Sequence, residues 1–184
     1  MENHHRICGL FAELIDYPRP QVAGFASDLT GHLAADYPEA ARPLEIFHGF
    51  AAATAPDRLE ELYTLTFDLQ PQCSPYLGYQ LCGEGYQRSR FLVGLQEVYR
   101  THGFTAEGEL ADHYREVLRF MSHVSDERIW LDLAADGLLP ALEKGLEGVS
   151  VDNPYGSLLG ALKTYLQQTV GSEDALTLKE EIAQ

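Results

Sequence analysis

The chain has 184 residues, 45% of them hydrophobic, a net charge of −15 and a sequence pI near 4.7. That length and apolar share supply one domain with a proper core and exclude wholesale disorder. The acidic field repels phosphates, which excludes nucleic acid and anionic lipid surfaces as partners and favours basic ones.

Helical periodicity dominates from the start. Ile7, Leu10, Phe11, Leu14 and Ile15 share one face, and Pro18 and Pro20 stop that helix. Val22, Phe25, Leu29 and Leu33 mark a second helix; Leu44, Phe47, Phe50 and Ala51 mark a third. Thr54-Ala-Pro-Asp57 reads as an N-cap, a first-turn proline and a capping-box-like carboxylate, launching Leu59, Leu62, Tyr63, Thr66 and Phe67 on one face. Ser74-Pro75 reads as the start of a short helix carrying Tyr76 and Tyr79, which Gly83 and Gly85 break. Phe91, Leu92, Leu95, Val98 and Tyr99 define a longer helix that Gly103 ends. Leu110, Tyr114, Val117, Leu118 and Met121 predict the next. Ser125 or Asp126 opens a Leu-rich helix that Pro140 should kink or split, and Asn153-Pro154 caps the last one. Period-2 alternation and internal repeats are absent. The expectation is an all-α, single-domain multi-helix bundle over residues 1–171, with a weakly ordered acidic tail over 172–184.

No apolar run approaches the roughly 20 residues of a membrane span. Met1 to Cys8 lacks the order of a secretory signal, so a cytoplasmic protein is expected, with no integral membrane association. Cys8, Cys73 and Cys82 are odd in number and irregularly spaced, which fits reduced thiols rather than a disulfide framework.

Three groups of residues could carry chemistry. Glu109 precedes His113 by one helical turn, so on a helix its carboxylate would reach the imidazole; Asp112 adjoins it. Acids that hold His113 charged would make it a switch between roughly pH 5 and 8. Set against this, capping acids are far commoner than catalytic dyads. Glu45-x-x-His48 and Glu2-x-x-His5 have the spacing of a di-metal carboxylate bundle, but Glu2 and His5 sit at the very end of the chain, where a solvated His pair is the simpler reading. Finally, Tyr63, Phe67, Tyr76, Tyr79 and Tyr86 concentrate aromatic surface. Tyr63 and Phe67 read partly as core, and Tyr76 and Tyr79 as walls of a peptide groove, with Glu84, Asp112 and His113 as its polar rim. Gly-x-Ser-x-Gly and phosphate-binding glycine loops are absent, so neither catalytic residues nor a resident cofactor or metal is expected.

Tyr63-x-x-x-Phe67-Asp68, Gly83-Glu84-x-x-x-Arg88, Tyr99-x-x-x-Gly103 and Glu109-Leu110-x-Asp112-His113 together resemble the NarJ branch of the TorD-like chaperones, the assembly factors of respiratory molybdoenzymes. Leu14-x-x-Tyr17-Pro18 and Asn153-Pro154-Tyr155 are similar to that family too, so the resemblance covers about Ile7 to Val170. The chain departs from the pattern at Ser89, where the family usually has Gly, and at Ala111, where it usually has Pro; the second change loosens the backbone before Asp112 and His113. The resemblance implies a helical chaperone, not an enzyme. It would hold the N-terminal peptide of an apo catalytic subunit, the nitrate reductase alpha subunit or that of another molybdoenzyme, for molybdenum cofactor insertion. A monomer or weak dimer is expected. Tyr63, Phe67, Tyr76, Tyr79, Glu84, Asp112 and His113 are the candidate peptide-binding residues. Arg88 is expected to pin the Gly83–Gly85 turn, and Glu109 to be structural. The alternatives are a di-metal enzyme around Glu45 and His48, or a helical interaction module with another partner.

Overall fold

The predicted apolar faces turn inward, Leu110 excepted. The computed structural model describes the backbone of residues 1–182 and side chains through Ser172. Helix α1 (Glu2–Ile15) buries Ile7, Leu10, Phe11, Leu14 and Ile15. Helices α2 (Val22–Leu33) and α3 (Pro38–Ala53) follow. Helix α4 (Pro56–Phe67) starts on Pro56, at a position whose N–H has no intrahelical partner in any case. The expected Thr54 cap is not made. Its hydroxyl donates to Phe50 O (2.7 Å) at the end of α3, and Ala55 occupies the N-cap of α4.

Helix α5 (Leu77–Cys82) begins two residues later than Ser74 as a cap would place it, with Tyr76 at the N-cap. Pro75 O accepts the Tyr114 N–H (2.8 Å), and the Leu77 N–H donates to Asp112 O (2.7 Å). The two segments thus form an isolated antiparallel bridge between Tyr76 and His113. Gly83 (φ 70°) and Gly85 (φ 131°) then reverse the chain into α6 (Tyr86–Thr101), using conformations that favour glycine.

Helix α7 (Tyr114–Met121) starts after His113, so Leu110 lies outside it and is exposed, contrary to expectation. Asp126 caps α8 (Glu127–Asp132), its Oδ1 accepting the N–H groups of Arg128 (3.0 Å) and Ile129 (3.3 Å). Pro140 lacks an N–H to continue that helix. The chain widens into a π turn (Leu133–Leu138) and resumes as α9 (Leu139–Leu146), with Pro140 in its first turn. Helix α10 (Pro154–Ile182) is capped as predicted: Asn153 Oδ1 accepts the Tyr155 N–H (3.0 Å).

Helix α3 packs along α2 and α10; α1 lies on α2 and α7; α9 and the π turn lie on α10, and α5 on α6 and α9. One contiguous buried cluster links them, with Trp130, Tyr99, Tyr114, Tyr155 and Tyr165 as its largest side chains. Full burial of a side chain such as Phe47 contributes roughly 2–3 kcal/mol. His4 and His5 are not a solvated end: His4 Nδ1 bonds Tyr165 OH (2.6 Å) and His5 Nε2 bonds Val124 O (2.8 Å). Among the described residues there is no strand, and no helix is long and apolar enough to cross a membrane. The expected weak order of the acidic tail concerns side chains that, from residue 173 on, lie outside the described residues.

Candidate functional site

The α5–α6 corner and the C-terminal end of α9 face each other across a groove of about 880 Å³. One wall carries Tyr76, Tyr79, Glu84 and Arg88, and the other carries Lys144 and Glu147. Residues 70–72 and Ser74 close one side. A larger concavity of about 1090 Å³ lies between α1 and α2; Glu2 and His5 line it, but none of the candidate peptide-binding residues does, and its charges include the paired Arg19 and Glu13. The smaller groove therefore carries more weight as a functional site.

Its walls are held close by small residues. Gly145 and Gly148 present bare backbone to the segment before α5. A Cβ on Gly145 would lie 2.6 Å from Cys73 Sγ, and one on Gly148 would lie 2.2 Å from Gln72 O. Lys144 Nζ donates to Gln80 O (2.7 Å) near the C-terminal end of α5, where a cation complements the helix dipole. Asn153 Nδ2 donates to Thr66 Oγ1 (2.7 Å) and Gln72 Oε1 (3.1 Å), tying the 68–74 segment to α4 and α10.

The Tyr76 wall is set by a buried ion pair. Asp112 is fully buried and accepts from Arg88 through Nε (3.0 Å) and Nη2 (3.4 Å). The guanidinium carbon sits 5.0 Å from the Tyr76 ring centroid, in cation–π contact. Tyr76 OH donates to Glu109 Oε2 (3.0 Å). Burial, then this bond to Glu109, push the Tyr76 phenol up to about 12. Gly78 makes room for the pair, since a Cβ there would lie 2.9 Å from Asp112 Oδ2.

Several expectations change here. Arg88 does not pin the Gly83–Gly85 turn through Glu84; it clamps Asp112 and so fixes α6 to the α7 entry. Glu109 accepts from Tyr76 rather than reaching His113, because residues 109–113 are not helical. Asp112 and His113 are buried behind the wall and are not rim groups. Phe67 is core, and half-buried Tyr63 packs on Tyr17, Phe67 and Tyr155; neither lines the groove. Tyr79 is 39% exposed and does line it.

His113 also behaves unlike an acid-held switch. Its Nδ1 accepts the Arg115 N–H (3.1 Å), capping α7 in the neutral state. Burial, then the Arg115 charge, lower it from 6.5 to about 4, while Asp16 pulls weakly the other way. Between those values the unfolded chain takes up a proton that the native protein excludes, so this group removes stability as pH falls from 6.5 towards 4. Urea midpoints should therefore drop less on acidification for His113→Asn, which keeps a capping acceptor, than for the wild type. Equal drops would show that His113 does not titrate in this way.

Glu45 is exposed and His48 half-buried on α3, and among the described residues no group of three or more His, Cys, Asp or Glu side chains could hold a metal ion. Cys73 is buried, and burial pushes its thiol up to about 12, away from nucleophilic use. The arrangement can hold a ligand between aromatic, amide and charged walls. Of the residues expected to line a groove, Tyr76, Tyr79 and Glu84 do so; Arg88, expected only as a structural residue, lines it as well, and the α9 wall was missed, its one signal being the Gly145-x-x-Gly148 spacing of small residues.

A family model described as nitrate reductase delta subunit matches residues 31–147. That span takes in both walls of the groove up to Glu147. Among solved structures, a candidate redox enzyme maturation protein from Archaeoglobus fulgidus is similar in fold, with a TM-score of 0.59 at 21% identity over 89% of this chain and 93% of that one. No curated protein matches the sequence.

Proposed function

The chain belongs to the nitrate reductase delta subunit family, a family of assembly chaperones rather than catalysts, and from that premise we propose that it holds the N-terminal segment of an apo molybdoenzyme catalytic subunit until the molybdenum cofactor is inserted. The client proposed is the alpha subunit of a respiratory nitrate reductase. The observation that carries this reading is the 880 Å³ groove with Tyr76 and Tyr79 on one wall and the α9 terminus on the other. Tyrosines offer large rigid contact area with a polar tip, which suits an adaptable grip on a peptide. Glu84 and Glu147 on the open sides would select basic side chains in the client, and Arg88 and Lys144 would orient its carbonyls or acids. Asp112 and His113 act one layer behind, as positioning residues.

The test is calorimetry with a peptide of the client's leading residues. Truncating an interface aromatic typically removes about 1–2 kcal/mol or more, so Tyr79→Ala is expected to weaken binding roughly tenfold or more. Because Tyr79 is partly exposed, its melting temperature should stay within a degree or so of wild type. Unchanged affinity would remove the groove from the proposal, and failure of the full client subunit to co-purify would remove the client.

A further inference from the structure

The outward face of α4 is unusual for a chain this acidic. Leu59, Leu62, Thr66 and Phe67 face the core, yet Leu65 (49% exposed) and Leu69 (70%) stand on the solvent side, with Tyr17 (47%) beside them. They form a shallow groove of about 470 Å³ whose remaining lining is Asp57, Glu60, Glu61 and Thr64. No cation lines it. Arg58 is drawn aside to Glu61 (2.6 Å), and Tyr17 OH donates to Glu60 (3.0 Å), which holds the ring edge-on to Tyr63. Exposed Asp68 adds a further carboxylate next to Leu69.

Residues 57, 61, 64 and 65 follow each other at helical spacing over about two turns, roughly 12 Å, of α4, and Asp68 and Leu69 prolong the stripe just past the end of the helix. An apolar stripe between carboxylates is the complement of one surface: a helix with apolar residues at i and i+4 flanked by Lys or Arg. A second copy of this chain fits poorly, because at a net charge of −15 two such faces repel.

We propose that the outer face of α4 and the turn that follows it, centred on Leu65, Leu69, Glu60 and Glu61, dock a basic amphipathic helix of a partner protein. This surface is separate from the Tyr76–Tyr79 groove and does not depend on what that groove holds. The two adjoin only where Leu69 of one lining precedes Gln70 of the other, in the left-handed corner at Gln70 (φ 51°).

The test uses a synthetic helical peptide of Leu residues spaced i, i+4 with flanking Lys, titrated into the whole protein by calorimetry at low and raised salt. A matched peptide with Glu in place of Lys is the comparison. Leu65→Ser combined with Leu69→Ser should weaken the Lys peptide at least tenfold. Glu60→Gln with Glu61→Gln should weaken it severalfold and flatten its salt dependence. Glu39→Gln with Glu45→Gln makes the same change of charge on exposed α3 positions and should leave affinity unchanged. The proposal fails if the α3 pair weakens binding as much as the α4 pair, since the attraction is then net charge alone. It fails equally if the leucine variants bind as wild type, if the Glu peptide binds as well as the Lys peptide, or if sedimentation shows wild-type dimers that the leucine variants abolish.

Discussion

Asp112→Ala is expected to destabilise the protein by about 3–5 kcal/mol, the range found when one partner of a buried ion pair is removed. Asp112 has no exposed surface and Arg88 only a little, so the guanidinium would be left with its charge in a site built for a carboxylate. The pair ties the N-terminal end of α6 to the α7 entry, while Tyr99, through its hydroxyl on Ala111 O (2.9 Å) and its ring against Phe120, ties the other end. Helix α6 buries only Leu95 and Tyr99 outright, so its N-terminal half is attached through Arg88 together with half-buried Phe91 and Leu92. Breaking the pair should free that end and release the guanidinium from the Tyr76 ring, loosening one wall of the groove. Two readouts follow. Chemical denaturation should show the lost stability, and affinity for the client peptide should fall even under conditions where the variant is folded. The double variant Arg88→Met with Asp112→Ala should recover much of the stability, because no uncompensated charge remains, while leaving the wall slack. A double variant no more stable than the single one would show that Asp112 acts through something other than its charge pair.

The same region shows where sequence reading succeeds and where it stops. Helix positions were legible because each apolar face repeats at the helical period and each break carries a local cause: Gly83 and Gly85, Gly103 after α6, Asp126 before α8, Pro140 at the π turn, Asn153 before α10. The Arg88–Asp112 contact was not legible, since it joins residues 24 apart through a tertiary turn that no local rule fixes. Glu109 and His113 misled for a related reason. Their spacing suits a helix, but Gly108 (φ 87°), the turn closed by the His113 N–H on Leu110 O (2.9 Å) and the bridge to Tyr76 keep the segment out of a helix, and the carboxylate turns to Tyr76 instead. Acidic neighbours suggested a charged His113; its burial and its role as acceptor to Arg115 decide for the neutral form. Tyr76 and Tyr79 were identifiable as aromatics beside glycine breaks. The opposite wall was not, because Lys144 and Glu147 look in sequence like the ordinary polar end of a helix.

That opposite wall yields the second large effect. Gly148→Ala would place a methyl group 2.2 Å from the carbonyl oxygen of Gln72. The obstacle is backbone, so no rotamer change relieves it, and residues 70–74 must move. Gln72 cannot move alone: its side-chain oxygen accepts from Ser150 N–H (3.2 Å) and Asn153 Nδ2 (3.1 Å), and Asn153 also caps α10. Overpacking of this kind costs typically 1–3 kcal/mol, and with three elements displaced together about 3 kcal/mol is expected. For a chain of this size that corresponds to a fall of roughly 6–12 °C in melting temperature. Gly160→Ala supplies the contrast. It lies within α10 with nothing within 4 Å of the added atom. There the substitution relieves the entropic penalty of a helical glycine and should stabilise by about 0.5–1 kcal/mol. Opposite signs at two glycines separate close approach from helix propensity. The groove gives a further distinction, because residues 70–72 line it beside Gly148. Gly148→Ala should weaken client-peptide binding as well as stability, whereas Gly160→Ala should change stability alone. Equal melting temperatures for Gly148→Ala and wild type would mean that the α9 terminus and the Gln72 backbone do not approach this closely in solution.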